Sequence, residues 1–105
     1  MPNQDYFRNK FLNLKRAAEQ KGYTVRLVPS KKLGDFAGMN PEAAERMGYP
    51  EPKDTFDIDA GMSWELKFRT LVHELREYGK MKKGASYWKA HKYASDNEFT
   101  VGGLP

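Results

Sequence analysis

Between positions 63 and 78 the chain places Trp64, Phe68, Leu71, Val72, Leu75 and Tyr78 at successive spacings of four, three, one, three and three. Those spacings follow the turn of an α-helix, about 3.6 residues, and gather the side chains into one broad apolar stripe. Ser63 suits the N-cap, Glu65 sits where the helix dipole favours an acid, and Gly79 or Gly84 closes a helix running to about Tyr78. Such a stripe must be buried against something flat. The segment just upstream supplies it: Thr55-Phe56-Asp57-Ile58-Asp59 alternates apolar and polar residues and stops at Gly61, which predicts a strand. A strand leading straight into a helix that packs on its sheet predicts an α+β fold.

The rest of the chain fits around this pair. Phe7, Phe11, Leu14 and Ala18 recur at helical spacing and predict an amphipathic helix over 5–21, stopped by Gly22. Tyr23-Thr24-Val25-Arg26-Leu27-Val28 alternates, is rich in β-branched residues and ends at Pro29, which predicts a second strand. Residues 30–40 hold Gly34 and Gly38 and suit either a loop or a short strand. Asn40-Pro41-Glu42 combines an N-cap residue, a proline at the first helical position and an early acid, predicting a short helix to Met47 ended by Gly48 and Pro50. Ser86 caps a last helix to about Ser95, and 96–105 reads as an irregular tail. The expected architecture is one domain over 1–105, a small twisted sheet of two to four strands packed on the 63–78 helix, followed by an antiparallel C-terminal helix.

Composition narrows the chemistry. The hydrophobic fraction is only 39%, but six Phe, six Tyr and two Trp provide enough area for one thin core. With no cysteine there is neither a disulfide framework nor a thiolate zinc site, so a transition metal would need His, Asp or Glu. The two histidines are then a scarce resource. No run approaches the ~20 apolar residues of a membrane span, and the first residues lack the pattern of a signal peptide, so a cytoplasmic location is expected. The net charge of +4 permits phosphate attraction, and Lys80, Lys82, Lys83, Lys89 and Lys92 surround one turn. Those lysines equally suit a solvated helix end, so a nucleic-acid partner is weakly supported.

His73 and Glu77 lie four residues apart and project from one helix face, roughly opposite the apolar stripe. Either solvent or the last helix covers them. That last helix presents Tyr87, Ala90, His91 and Ala94 along one face, where the two alanines permit close approach. Glu77 and His91 are each seven residues from Gly84, so an antiparallel hairpin sets them level, with His73 one turn away. Glu74, about 100° round from His73, would flank the resulting triangle as an unligated carboxylate able to take a proton from water. The same residues also suit an i,i+4 surface pair beside a histidine in a basic run.

The run Phe56-Asp57-Ile58-Asp59-Ala60-Gly61-Met62-Ser63, followed by Phe68-Arg69-Thr70-Leu71-Val72-His73-Glu74-Leu75, resembles the core of minimal zincin metallopeptidase domains, notably the ImmA/IrrE-type domains of prokaryotes and phages. Trp88-Lys89-Ala90-His91-Lys92-Tyr93-Ala94 looks like the family's following helix, which supplies the third zinc ligand. The resemblance covers about 55–95. It implies His73 as first ligand and Glu74 as general base. Two departures stand out: Glu77 replaces the second histidine of His-Glu-x-x-His, and the third ligand, usually Glu, is offered only by His91, shifted by about two positions. Two histidines and a glutamate still form a known catalytic zinc shell. The resemblance implies a zinc or other divalent-metal hydrolase acting on a peptide or protein, with Tyr78 or Tyr87 available as an oxyanion helper. The alternative is a non-catalytic interaction protein on a degenerate zincin scaffold.

Overall fold

The apolar stripe does form a helix, and that helix is buried on more than one side. The computed structural model describes residues 4–49 and 51–102, with 97–102 described as backbone alone. In chain order the elements are α1 (Gln4–Gln20), β1 (Thr24–Val28), α2 (Ser30–Leu33), β2 (Gly38–Met39), α3 (Pro41–Met47), β3 (Thr55–Asp59), α4 (Trp64–Lys82) and α5 (Tyr87–Gly102). This is the α+β arrangement that the sequence predicts, with a three-stranded sheet.

β3 is the middle strand. β1 pairs with it in parallel, Val25 opposite Phe56, and β2 pairs antiparallel, Gly38 opposite Ile58 and Met39 opposite Asp57. Alternation along β3 sends Phe56 and Ile58, both fully buried, into a core with Phe11, Val25, Phe68, Leu71 and Tyr78. The N-terminus of α4 is tied to α1 as well, because the Gln4 side-chain oxygen accepts the Trp64 N–H at 2.9 Å. Trp64 and Leu75, expected on the buried side of the helix with Phe68 and Leu71, are only partly buried at the margin of this core. A second cluster, Val28, Leu33, Met39, Ala43, Ala44, Met81 and Ala90, forms because the segment 30–49 folds over and contributes its own apolar residues. One thin core is thus divided in two.

The undecided segment 30–40 resolves into α2 and the two-residue β2. α3 is capped as predicted, with Asn40 accepting from the Ala43 N–H, and Ser63 caps α4 through the Leu66 N–H. Gly79 does not end α4; the helix continues to Lys82, burying Met81, and the chain turns at Gly84 with φ 102°, a left-handed conformation that glycine adopts without strain. The tail expected over 96–105 is corrected in part: α5 continues to Gly102. No Gly or Pro interrupts the sequence until Gly102-Gly103, so nothing breaks the helix at Ser95. Residues 103–105 lie outside the described residues.

The sheet's second face carries charge. Asp57, fully buried, receives the Arg26 Nε at 2.8 Å and Nη2 at 2.9 Å, and the Lys32 ammonium at 3.3 Å. Arg26 Nη2 also reaches Glu51 Oε1 at 3.1 Å. Burial alone would raise Asp57, but hydrogen bonds from Arg26 and its other neighbours outweigh that and hold the carboxyl below its usual value. Glu51 goes the other way: burial, then the adjoining Asp57, pushes it up to about 7.

Two predictions follow from this packing. Leu71, fully buried, should cost about 2–5 kcal/mol when cut to alanine, and the partly buried Leu75 less; equal losses in urea unfolding would mean that the core boundary is misplaced. For Glu51 the folded protein binds a proton more tightly than the unfolded chain, so its contribution to stability is full below the ordinary value of 4.5 and is lost as pH rises towards about 7. Unfolding free energies of wild type and Glu51→Gln measured from pH 4.5 to 8 should therefore diverge, wild type losing ground as pH rises; a pH-independent difference would refute the assignment.

Candidate metal centre

α4 carries three polar residues into a place where water is largely excluded. His73 is partly buried, and Glu74 and Glu77 are 6% and 2% exposed. β2 and Asn40 cover Glu74, and His73 and Glu77 are covered by α5, which returns antiparallel after the turn at Gly84, its start capped by the Ser86 hydroxyl accepting the Lys89 N–H at 3.2 Å. Ala90 and Ala94, both 0% exposed, are the small residues that let the helices approach. That approach puts His91 across from Glu77.

The three side chains meet at one point. His73 Nε2 lies 3.1 Å from Glu77 Oε2, His91 Nδ1 lies 2.9 Å from the same oxygen, and the two ring nitrogens are 3.3 Å apart. Donor atoms about 2.0–2.1 Å from a tetrahedral zinc are separated from one another by about 3.3 Å, so these separations fit a three-residue metal shell, and the group satisfies the geometric requirement for holding an ion. The donor set is also right in kind: two imidazoles and a carboxylate suit zinc and similar divalent metals.

Glu74 stands beside the triangle and lines the same cleft of about 320 Å³. Burial, then repulsion from Glu77, pushes its carboxyl up to about 8, against the opposing influence of His73 and Asn40. Tyr87 lines the cleft from the α5 side, stacking on the His91 ring at 5.4 Å; burial and the two glutamates push its hydroxyl up to about 12. Tyr78 belongs elsewhere. Its hydroxyl donates to that of Tyr23 at 3.2 Å inside the main core, so of the two tyrosines considered from the sequence only Tyr87 is at the site.

His73, Glu74, Glu77 and His91 are therefore brought together as the sequence predicts. One residue of this neighbourhood is missing from that prediction. Asn40, fully buried, donates from Nδ2 to Glu74 Oε1 at 3.1 Å and to Glu77 Oε1 at 2.9 Å. Two buried acids on one helix require a donor, which is a legible demand; that it is met from 34 positions upstream is not. The lysines around the turn lie apart from the cleft: Lys80 sits over the Tyr93 ring at 4.2 Å, Lys82 over Tyr78 at 5.3 Å, and Lys92 pairs with Asp96 at 2.8 Å.

No known family model matches the chain, and comparison with curated proteins and with solved structures likewise finds no match. The site must be read from its own geometry.

Because Ala90 sets the α4–α5 distance, Ala90→Leu should destabilise the protein by about 1–3 kcal/mol through overpacking. Thermal unfolding that leaves this variant level with wild type would show that the helices do not depend on the small residue.

Proposed function

We propose that this chain is a small metal-dependent hydrolase of the zincin kind, a peptidase whose ion is held by His73, Glu77 and His91 and whose general base is Glu74. The observation that carries the reading is the convergence of His73 Nε2, His91 Nδ1 and Glu77 Oε2 on one point, with a fourth ionisable group, Glu74, in the same cleft. A zinc or similar ion there would supply Lewis acidity toward a scissile carbonyl. Positive charge held by the three residues would oppose the repulsion from Glu77 and favour the ionised form of Glu74. In that state Glu74 takes a proton from the attacking water and returns it to the leaving amine as the C–N bond breaks. Tyr87 supplies a hydroxyl on the facing wall.

The cleft also bears on the substrate. Its charged lining residues are Asp35, Glu74 and Glu77 beside the two histidines, with Phe36, Met39 and Tyr87 giving apolar surface. Among the described residues no Lys or Arg lines it, although the chain holds eighteen of them. Beyond the ion itself a phosphodiester would find no Lys or Arg side chain to meet its charge, whereas a neutral peptide bond needs none. Among the described residues no helix is long and apolar enough to cross a membrane; cytoplasmic action forms part of the proposal.

A second reading, a non-catalytic interaction protein, is supported by a groove of about 410 Å³ between α1 and α4, with Leu14, Ala18, Leu75, Lys21, Lys82 and Lys83 in its lining. Partner binding through that groove would survive His73→Ala.

Metal titration of untagged protein separates the readings. Wild type should bind one zinc, with affinity falling as pH is lowered, because both imidazoles must be neutral to coordinate. His73→Ala should lose the metal, while Glu74→Gln should keep it and lose about 10²–10⁴-fold in peptide hydrolysis. Full activity in Glu74→Gln, or equal metal loss in both variants, would defeat the roles assigned.

A further inference from the structure

Asn40 joins β2 to α3 and uses both ends of its amide. Oδ1 accepts the Ala43 N–H at 2.8 Å, which is the N-cap bond of α3. That bond decides how the amide is turned, because a backbone N–H only donates and must meet the oxygen. Nδ2 therefore faces α4, where it stands 3.1 Å from Glu74 Oε1 and 2.9 Å from Glu77 Oε1. One amide hydrogen is available for each carboxylate. The other oxygen of Glu77, Oε2, is the atom that meets both histidines.

We propose that Asn40 is a positioning residue of the metal centre: by holding Glu77 through Oε1 it presents Oε2 alone to the ion, and by the same amide it fixes Glu74 beside that ligand. The inference rests on the metal-binding reading of His73, Glu77 and His91 given above.

The residue type follows from what the place demands. Glu74 and Glu77, three positions apart on one helix and almost wholly buried, repel each other unless a donor stands between them. A lysine or arginine would neutralise them and compete with a metal ion for the same charge. A serine hydroxyl carries one hydrogen and can serve one carboxylate only. An asparagine amide supplies two hydrogens in a fixed plane. Its reach depends on the adjoining strand: a Cβ placed on Gly38 would stand 2.8 Å from Thr70 Cγ2 and 3.0 Å from Glu74 Cγ, so the absence of a side chain there lets the β2 backbone lie close against α4. Partners in this outer layer of a metal site set the orientation of the ligands, and their removal typically lowers metal affinity about 10–100-fold.

The two jobs of the amide can be separated by substitution. Asn40→Ser keeps a capping oxygen for α3 and removes the paired donor, whereas Asn40→Ala removes both. Zinc affinity, measured by competition with a chromophoric chelator, should fall about 10–100-fold in both variants. Melting of the metal-free proteins should split them, Asn40→Ala unfolding at a lower temperature than Asn40→Ser. Wild-type zinc affinity in Asn40→Ser would overturn the inference, as would affinity that simply tracks melting temperature, for Asn40 would then act only as a helix cap. A wild-type protein that takes up no zinc would remove the metal-binding reading and this inference with it; wild-type binding with unaffected variants would remove this inference alone.

Discussion

A carboxylate taken out of water must be given donors or a cation, and α4 takes two of them out of water side by side. Much of the molecule answers that demand. Glu77 is met by His73 from its own helix and by His91 from α5, and both acids are met by Asn40 from the end of β2. The small residues Ala90 and Ala94 bring α5 near enough to supply a ring nitrogen, and Gly38 brings β2 near enough to supply an amide. Against these polar contacts the other side of α4 is conventional, an apolar stripe on a sheet, and it is this ordinary packing that holds the unusual face in register.

Where sequence was a good guide, the signal was local. The alternation of Thr55–Asp59, the caps at Asn40 and Ser63 and the helical spacing of Phe68, Leu71 and Val72 are each written within a few residues, and each appears in the fold as expected. The position of His91 opposite Glu77 was legible for a related reason: a hairpin about Gly84 has simple symmetry. β2 was not legible, since two residues show no period; it is a strand because β3 offers it a pairing edge. The double role of Asn40 was hidden by distance along the chain, because its cap bond is local and its bonds to the glutamates are not. The end of α5 lies beyond the expected Ser95 because Gly102-Gly103 and Pro105, the residues that suggest an irregular tail, come only at the very end of that stretch.

The charged face of the sheet follows the same logic as the α4 acids with a different outcome. Asp57 sits on the central strand, where its neighbours are backbone and the covering segment, and Arg26 in the facing register position of β1 answers it with two nitrogens. The guanidinium then draws in Glu51 from the connection before β3. Parallel pairing of β1 with β3 thus carries a side-chain bond that a slip of one residue would break. The apolar core alone would not penalise such a slip so specifically.

The antiparallel return of α5 has a consequence for what it costs to gather the site. His73, Glu77 and His91 all lie within one hairpin, closed by a short loop, whereas β1 must find β3 across 31 residues before the sheet exists. Closing a short loop costs little chain entropy and is fast. Bringing the three side chains together therefore costs little loop-closure entropy, whereas Asn40 reaches the glutamates only through the longer-range placement of β2 and α3. The three side chains that meet there thus depend on contacts close in sequence, whereas the amide that holds the two glutamates depends on contacts far apart in it.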